Sequence, residues 1–291
     1  MPCYSPIRAW RTGNINPETG KMQLTFSRSN ALTDIDAIDL PCGKCIGCRI
    51  RYSTDWSLRC VHESMSYEHN CFITLTYNDD NLPADLTLVK KHFTDFMKRL
   101  RDRIKPLRVR YFMCGEYGDI NQRPHYHALI FNYDFPDKIE FKFRKNSILY
   151  TSNLLEELWP FGFSSVGALT YETACYVAQY AVKKINGDLA DELYGARVRP
   201  YVAMSRKPGI GTMYFDKHRD ELFINDSIVH NGRQFPLPRF YTNKFDDNEI
   251  KELKFKRIQS IDLANSTISR LRVSEKVKES KLRLRKRNLD E

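Results

Sequence analysis

The chain has 291 residues, 42% of them apolar, enough for a sizeable core and for one large domain or one domain with an appendage. Lys and Arg number 46 against 36 Asp and Glu, a formal charge of +10, which favours a polyanionic partner, either nucleic acid or an acidic membrane surface. No stretch approaches the ~20 apolar residues of a membrane span, and MPCYSPIRAW at the start has no apolar run of a secretory signal, so the eight cysteines are expected in a reducing compartment as thiols or metal ligands.

In chain order, KMQLTFSR (Lys21–Arg28) alternates as a strand after the turn NPETGK. A helix is predicted from about Ile50 to Tyr67, where Ile50, Ser57, Val61 and Met65 recur at helical spacing. CFITLTY (Cys71–Tyr77) is β-branched and aromatic, a strand ended by NDDNLP, which reads as a turn or as an extra polar element of a site. Val89, Phe93, Phe96, Met97, Leu100 and Ile104 mark an amphipathic helix that Pro106 stops. LRVRYFMCGEYG (Leu107–Gly118) and HYHALIFN (His125–Asn132) predict an antiparallel hairpin. Then come a short helix over Ser152–Leu158, a strand in GFSSVGALT, and the helix YETACYVAQYAVKKIN, with Thr170 as N-cap and Gly187 as stop.

The order β-α-β-β-α-β-α predicts an α+β fold, a mainly antiparallel sheet with flanking helices. Residues 188–245 read as irregular. From Glu249 to the end, thirteen Lys/Arg outnumber seven Asp/Glu, and a rough helical spacing predicts a basic amphipathic helix. A docked solvated tail, a DNA contact and an oligomerisation element all fit that tail. The segments are thus 1–68 with a cysteine cluster, 69–245 as the core, and 246–291 as the basic tail.

Side chains in a strand alternate faces. His125 and His127 therefore share a face, Tyr126 takes the other, and hairpin pairing brings Glu116 beside them. Two imidazoles and one carboxylate can hold a divalent ion and leave positions open. In YVAQYAVKK, Tyr176 and Tyr180 lie within ~40° of each other and ~6 Å apart along a helix. Lys184 extends that stripe and Lys183 flanks it, whereas Tyr171 lies ~140° away and is expected to pack. A tyrosine with pKa ~10 is a poor nucleophile unless a metal polarises a phosphate and a lysine stabilises the charge.

Cys42, Cys45 and Cys48 have C-x2-C-x2-C spacing, with Gly43 and Gly47 permitting tight turns, which suits tetrahedral Zn2+. Cys3 is the first choice for the fourth ligand, with Cys60, Cys71 and His62 behind it. An iron–sulfur cluster and free thiols are the competing readings. Cys114 and Cys175 sit in apolar runs and read as core.

CFITLTY, HYH with its upstream Glu, and YVAQYAVKK occur in the order of the three motifs of HUH endonucleases, the metal-dependent tyrosine nickases of rolling-circle replication. With PCGKCIGCR, RPHYHALIF, LWPFGFSSVG and SRKPGIG, roughly residues 1–245 resemble the microvirus (gokushovirus-type) replication initiators. The resemblance implies a palm-like, RRM/ferredoxin-like sheet with Mg2+ or Mn2+ on Glu116, His125 and His127. It implies Tyr176 and Tyr180 as nucleophiles that form a 5′-phosphotyrosine, nick single-stranded origin DNA and rejoin circles. The host polymerase and helicase are then partners, and the host bacterial cytoplasm the location. Many relatives carry Lys directly before the second tyrosine, where this chain has Gln179, so the lysine role passes to Lys183 or Lys184. The alternatives are a transposase or relaxase of the same superfamily, a non-catalytic zinc-containing DNA-binding regulator, and a metal-dependent oxygenase. No P-loop for a helicase occurs, and the strands are too few for an oxygenase barrel.

Overall fold

The structure is a computed structural model that describes residues 3–18, 20–33, 37–118, 121–144, 147–180, 192, 194–260 and 267–283. Its first elements are β1 (Ile7–Ile15), β2 (Met22–Thr25), β3 (Ile38–Leu40), α1 (Ile46–Ser64), β4 (Asn70–Tyr77) and α2 (Lys90–Arg103). Then come β5 (Arg110–Tyr117), β6 (Pro124–Phe131), β7 (Ile139–Arg144), β8 (Ser147–Thr151), α3 (Asn153–Leu158), β9 (Gly162–Ala168) and α4 (Tyr171–Tyr180). The chain continues with β10 (Tyr201–Met204), α5 (Thr212–Asn225), β11 (Ser227–His230), β12 (Arg233–Pro236), α6 (Arg239–Thr242), α7 (Asp247–Gln259) and α8 (Ile268–Arg283).

Two compact units are drawn by contacts, Met1–Arg51 with Gln259–Glu291, and Tyr52–Ile258. Their limits do not coincide with the three segments 1–68, 69–245 and 246–291. In the smaller unit β1 pairs antiparallel with β2 on one side and β3 on the other. The backbone N–H of Ile46, at the start of α1, donates to Glu275 Oε1 of α8 at 3.4 Å. That places a carboxylate where the helix leaves unpaired donors.

Among the described residues, the larger unit carries a seven-stranded antiparallel sheet in the order β10-β5-β6-β4-β9-β8-β7. Two-residue alternation divides it. Cys71, Ile73, Leu75 and Tyr77 of β4 join Tyr126, Ala128 and Ile130 of β6 in a core with Phe93, Phe96, Met97 and Leu100 of α2 and Leu155 and Leu158 of α3. Phe72, Phe112, Leu129 and Phe131 face the other way, under Cys60 and Val61 of α1 and Ala174, Tyr176 and Val177 of α4. The sheet is thus α+β, helix-covered on both faces, as its strand pattern predicts.

Helix ends follow local chemistry. The Ser152 hydroxyl accepts from the backbone N–H of Leu155 and caps α3. Thr170 and Thr173 exchange side-chain hydrogen bonds with each other's N–H at 3.2 and 2.8 Å, closing the start of α4. Gly162 opens β9 at φ 148°, and a Cβ there would sit 2.1 Å from Asn78 N. Only glycine lets the first residue of β9 lie against the end of β4.

Several expectations are corrected. The helix expected from Ile50 to Tyr67 runs Ile46–Ser64. The antiparallel pair β7–β8 adds two strands beyond the predicted elements. Residues 188–245 are not irregular throughout. β10 extends the sheet beside β5, and α5, β11, β12 and α6 build a third cluster around Leu58, Phe215, Leu222 and Tyr241. α5 escapes pattern reading because His218 (φ −115°, ψ 21°) kinks it. Among its described residues the basic tail holds two helices, α7 and α8. α7 buries Leu253 in that same cluster, and its Arg257 Nε donates to Asp226 Oδ2 at 2.7 Å.

Glu63, 1% exposed, ties three segments together. Oε1 accepts from Arg110 Nε of β5 at 2.5 Å and Oε2 from Gly211 N at 2.6 Å. Glu63→Ala leaves a largely buried guanidinium without its carboxylate and the Gly211 N–H without its acceptor, and is expected to destabilise the protein by about 3 kcal/mol. Urea unfolding monitored by circular dichroism measures this. A change below about 0.5 kcal/mol, the level of a neutral surface substitution, shows that the bridge does not hold the fold.

Candidate active site

β5 and β6 pair in the register Glu116↔His125 and Cys114↔His127. β6 and β4 pair in the register His125↔Thr76 and His127↔Thr74. Opposed residues share a face, so one face carries Glu116, both histidines and two threonines. Tyr126 points to the other face, where its hydroxyl meets Tyr77 and Val89 in the core.

Glu116 Oε1 lies 3.1 Å from His125 Nε2 and 3.1 Å from His127 Nε2. Its second oxygen, Oε2, is buried and has no hydrogen-bond partner among the described residues. Glu116 is 2% exposed. Burial raises its carboxyl, but hydrogen bonds from His125 and His127 outweigh that and hold it below the usual carboxylate range. Each imidazole is oriented through its far nitrogen. His125 Nδ1 lies 3.0 Å from the Arg123 carbonyl, and His127 Nδ1 lies 3.0 Å from Thr74 Oγ1. The ligand atoms of all three residues lie within 4.8 Å of one another. An ionised carboxylate with an unpartnered oxygen beside two fixed imidazole nitrogens fits a divalent cation with positions left open.

α4 crosses this face. The Tyr176 hydroxyl lies 3.3 Å from His127 Nε2, and its ring meets the imidazole edge-on at 4.8 Å between centroids. Tyr180 is the last residue of α4, one turn beyond, and lies outside the described side chains. Lys183 and Lys184 lie outside the described residues. Tyr171 packs as expected, against His230 and Phe235.

In the smaller unit Cys3, Cys42, Cys45 and Cys48 also bring their sulfurs within 4.8 Å of one another. Cys3 Sγ and Cys45 Sγ are 3.8 Å apart. The backbone donates to these sulfurs, Tyr4 N to Cys45 at 3.3 Å, Cys42 N to Cys3 at 3.3 Å and Cys45 N to Cys42 at 3.2 Å. Gly43, at φ 72°, supplies the left-handed turn that folds the loop back. Burial raises the Cys45 thiol, but the N–H groups of Cys48 and Tyr4 and the neighbouring thiols bring it down to about 7. Burial pushes Cys3 and Cys48 up. Four sulfurs that accept N–H bonds fit a thiolate-binding metal. The runners-up do not join them. Cys60 and Cys71 are buried among apolar side chains, and His62 stacks on Tyr214 at 3.6 Å.

Sequence reasoning missed Thr74 and the Arg123 carbonyl, which aim the two imidazoles. The signal for Thr74 was present in CFITLTY, where Thr74 and Thr76 interrupt the apolar run at period two.

The family model of the replication-associated protein ORF2/G2P matches residues 70–185. The chain is 32% identical over 296 residues to Replication-associated protein VP4 of Bdellovibrio phage phiMH2K, spanning 91% of this chain and 89% of that protein. It is 31% identical to Replication-associated protein ORF2 of Spiroplasma virus 4, over 71% of this chain and 68% of that one. It is also 31% identical to Replication-associated protein ORF4 of Chlamydia phage 1, over 69% of this chain and 52% of that one. No solved structure matches the chain. The chain belongs to the family of phage replication-associated proteins, as a replication initiator of the microvirus type.

Proposed function

We propose that the chain is an HUH-type endonuclease and strand transferase, which nicks single-stranded origin DNA and rejoins it. The observation that carries this reading is the meeting of Glu116, His125 and His127 with the Tyr176 hydroxyl on one sheet face. Glu116, His125 and His127 would hold Mg2+ or Mn2+, which would supply Lewis acidity toward a phosphate. Thr74 and the Arg123 carbonyl fix the imidazoles for that task.

Tyr176 Oη gives up its proton to water and attacks the scissile phosphorus. A P–O bond to tyrosine forms, the bond to the 3′ oxygen breaks, and that oxygen leaves and takes up a proton as a 3′-OH. The bond energy stays in the 5′-phosphotyrosine, so the reverse attack by a 3′-OH rejoins DNA without ATP. The freed 3′-OH primes the host polymerase, with the host helicase opening the duplex, inside the host cell. Tyr180, one turn along α4, is the second nucleophile. It cleaves the regenerated origin while Tyr176 still holds the first end, and the new 3′-OH then closes a circle. Lys183 or Lys184 neutralises the phenolate or phosphate charge. The four cysteines hold a structural zinc ion in the smaller unit.

Three experiments test these assignments. The first uses His127→Ala and Thr74→Val, with the covalent protein–oligonucleotide adduct read on denaturing gels in Mn2+. His127→Ala is expected to abolish the adduct while keeping most DNA affinity, because phosphates supply most of the binding. Thr74→Val is expected to raise the Mn2+ concentration needed for half-maximal adduct by about 10- to 100-fold. Undiminished adduct from His127→Ala, or in excess chelator, would exclude the metal assignment.

The second compares Tyr176→Phe, Tyr180→Phe and the double variant in the same assay. Each single variant is expected to retain some adduct and to fail at circle release, and the double variant to form none. Adduct surviving in the double variant excludes both tyrosines.

The third measures zinc. Purified protein is expected to carry about one Zn2+ per chain, the count for one closed tetrahedral site. Cys45→Ser is expected to lose the zinc together with thermal stability. Metal-free protein of unchanged melting temperature would show that the cluster holds no structural ion.

A further inference from the structure

The face that carries the ligands continues past them. β9 pairs with β4 in the register Phe163↔Thr76 and Ser165↔Thr74. One row across the sheet therefore reads Glu116, His125, Thr76, Phe163. At about 4.8 Å per strand, Phe163 stands roughly 10 Å from His125 on the same face.

Other aromatic rings of this face are covered. Phe112 is fully buried and Phe72 is 9% exposed, both under helices, whereas Phe163 is 69% exposed. No ring contact among the described residues involves it. Its backbone is nevertheless fixed, by the ladder to β4 and by the close approach of Gly162 to Asn78. A single exposed apolar residue needs no explanation by itself. This one is a rigid flat ring beside the candidate ion site.

A cation lies further along the same face. Leu149 of β8 sits over Gly167, where a Cβ would meet its Cδ2 at 3.3 Å, and Gly167 pairs with Phe72 of the ligand face. Lys142 of β7 pairs with Leu149 and so shares that face, exposed. An exposed stacking ring and an exposed cation on one sheet face are the combination that holds single-stranded nucleic acid.

We propose that Phe163 is a base-stacking platform that positions the single strand beside the candidate ion site, with Lys142 meeting its phosphates further out. This rests on the nickase reading for its purpose, and its test is a binding measurement that stands apart from cleavage. The chemistry committed to is a nucleobase π-face, which every base offers, so the contact adds affinity without reading sequence.

The probes are a fluorescent oligo(dT) of about twenty nucleotides, long enough for one single-strand site, and an abasic strand of the same length. The full chain and its variants are titrated by anisotropy at several salt concentrations. Phe163→Ala is expected to weaken oligo(dT) binding by about five- to hundredfold. It is expected to lose most of the preference for oligo(dT) over the abasic strand and to keep the salt slope, because the phosphate contacts remain. Phe163→Trp is expected to restore the preference, with its indole emission quenched by oligo(dT). Lys142→Ala is expected to lower the salt slope by about one and to keep the base preference. An affinity for oligo(dT) within twofold of the parent chain in Phe163→Ala overturns the proposal. So does a Phe163→Ala effect that appears only in sedimentation, which would make this face a contact between copies of the chain. Absence of adduct from the parent chain on origin DNA would instead defeat the nickase reading, and leaves the base preference as the measure of Phe163.

Discussion

In the β5–β6 hairpin Glu116 lies opposite His125, and a slip of one residue would turn every side chain of either strand to the other face. The apolar residues forbid that slip. Tyr126, Ala128 and Ile130 are buried against α2 and α3, while Leu129 and Phe131 are buried under α1 and α4. Both faces are thus filled by side chains that fit only one register. The core that stabilises the sheet also fixes the two histidines and the carboxylate within hydrogen-bond reach of one another. Position comes from strands and not from loops, and that is the rigid support a site with open coordination needs.

A carboxylate that is 2% exposed is costly unless its charge is met. Here one oxygen is shared by two imidazole nitrogens and the other has no partner among the described residues. Thr74 and the Arg123 carbonyl engage the far nitrogens of the two imidazoles, so that only the near nitrogens face Glu116. Tyr176 is brought to that point by α4, whose start is locked by the Thr170–Thr173 exchange. Helix cap and strand register together set where the Tyr176 hydroxyl meets the two imidazoles and the buried carboxylate.

The sequence made some of this legible. Alternation in CFITLTY and HYHALIFN predicts the two central strands and puts both histidines on one face, and the spacing of four between Tyr176 and Tyr180 follows from helix pitch. Cys3 joins the cysteine loop from 39 residues away, and local spacing pointed to it only as a first choice. Other parts left no local trace. β10 has apolar residues facing both covers, with Tyr201 and Ala203 against one core and Val202 and Met204 against the other, so it shows no period. β7 alternates clearly in IEFKFR, yet its Ile139, Phe141 and Phe143 are exposed, so burial does not explain the pattern. Phe163 gains meaning only through its row across three other strands, which no linear spacing reveals.

The chain presents two donor sets of opposite character. One is an oxygen and two imidazole nitrogens on one face of the sheet. The other is four sulfurs wrapped by backbone N–H groups. Soft thiolates select zinc-like ions, whereas imidazole and carboxylate donors accept a wider range of divalent ions. The sulfur cluster brings Cys3 and the loop 42–48 around one point, at the start of the helix whose Ile46 N–H meets Glu275. Small folds with short sheets commonly draw stability from a metal or a disulfide. In a chain without disulfides, the four gathered sulfurs are the donor set placed to supply such support.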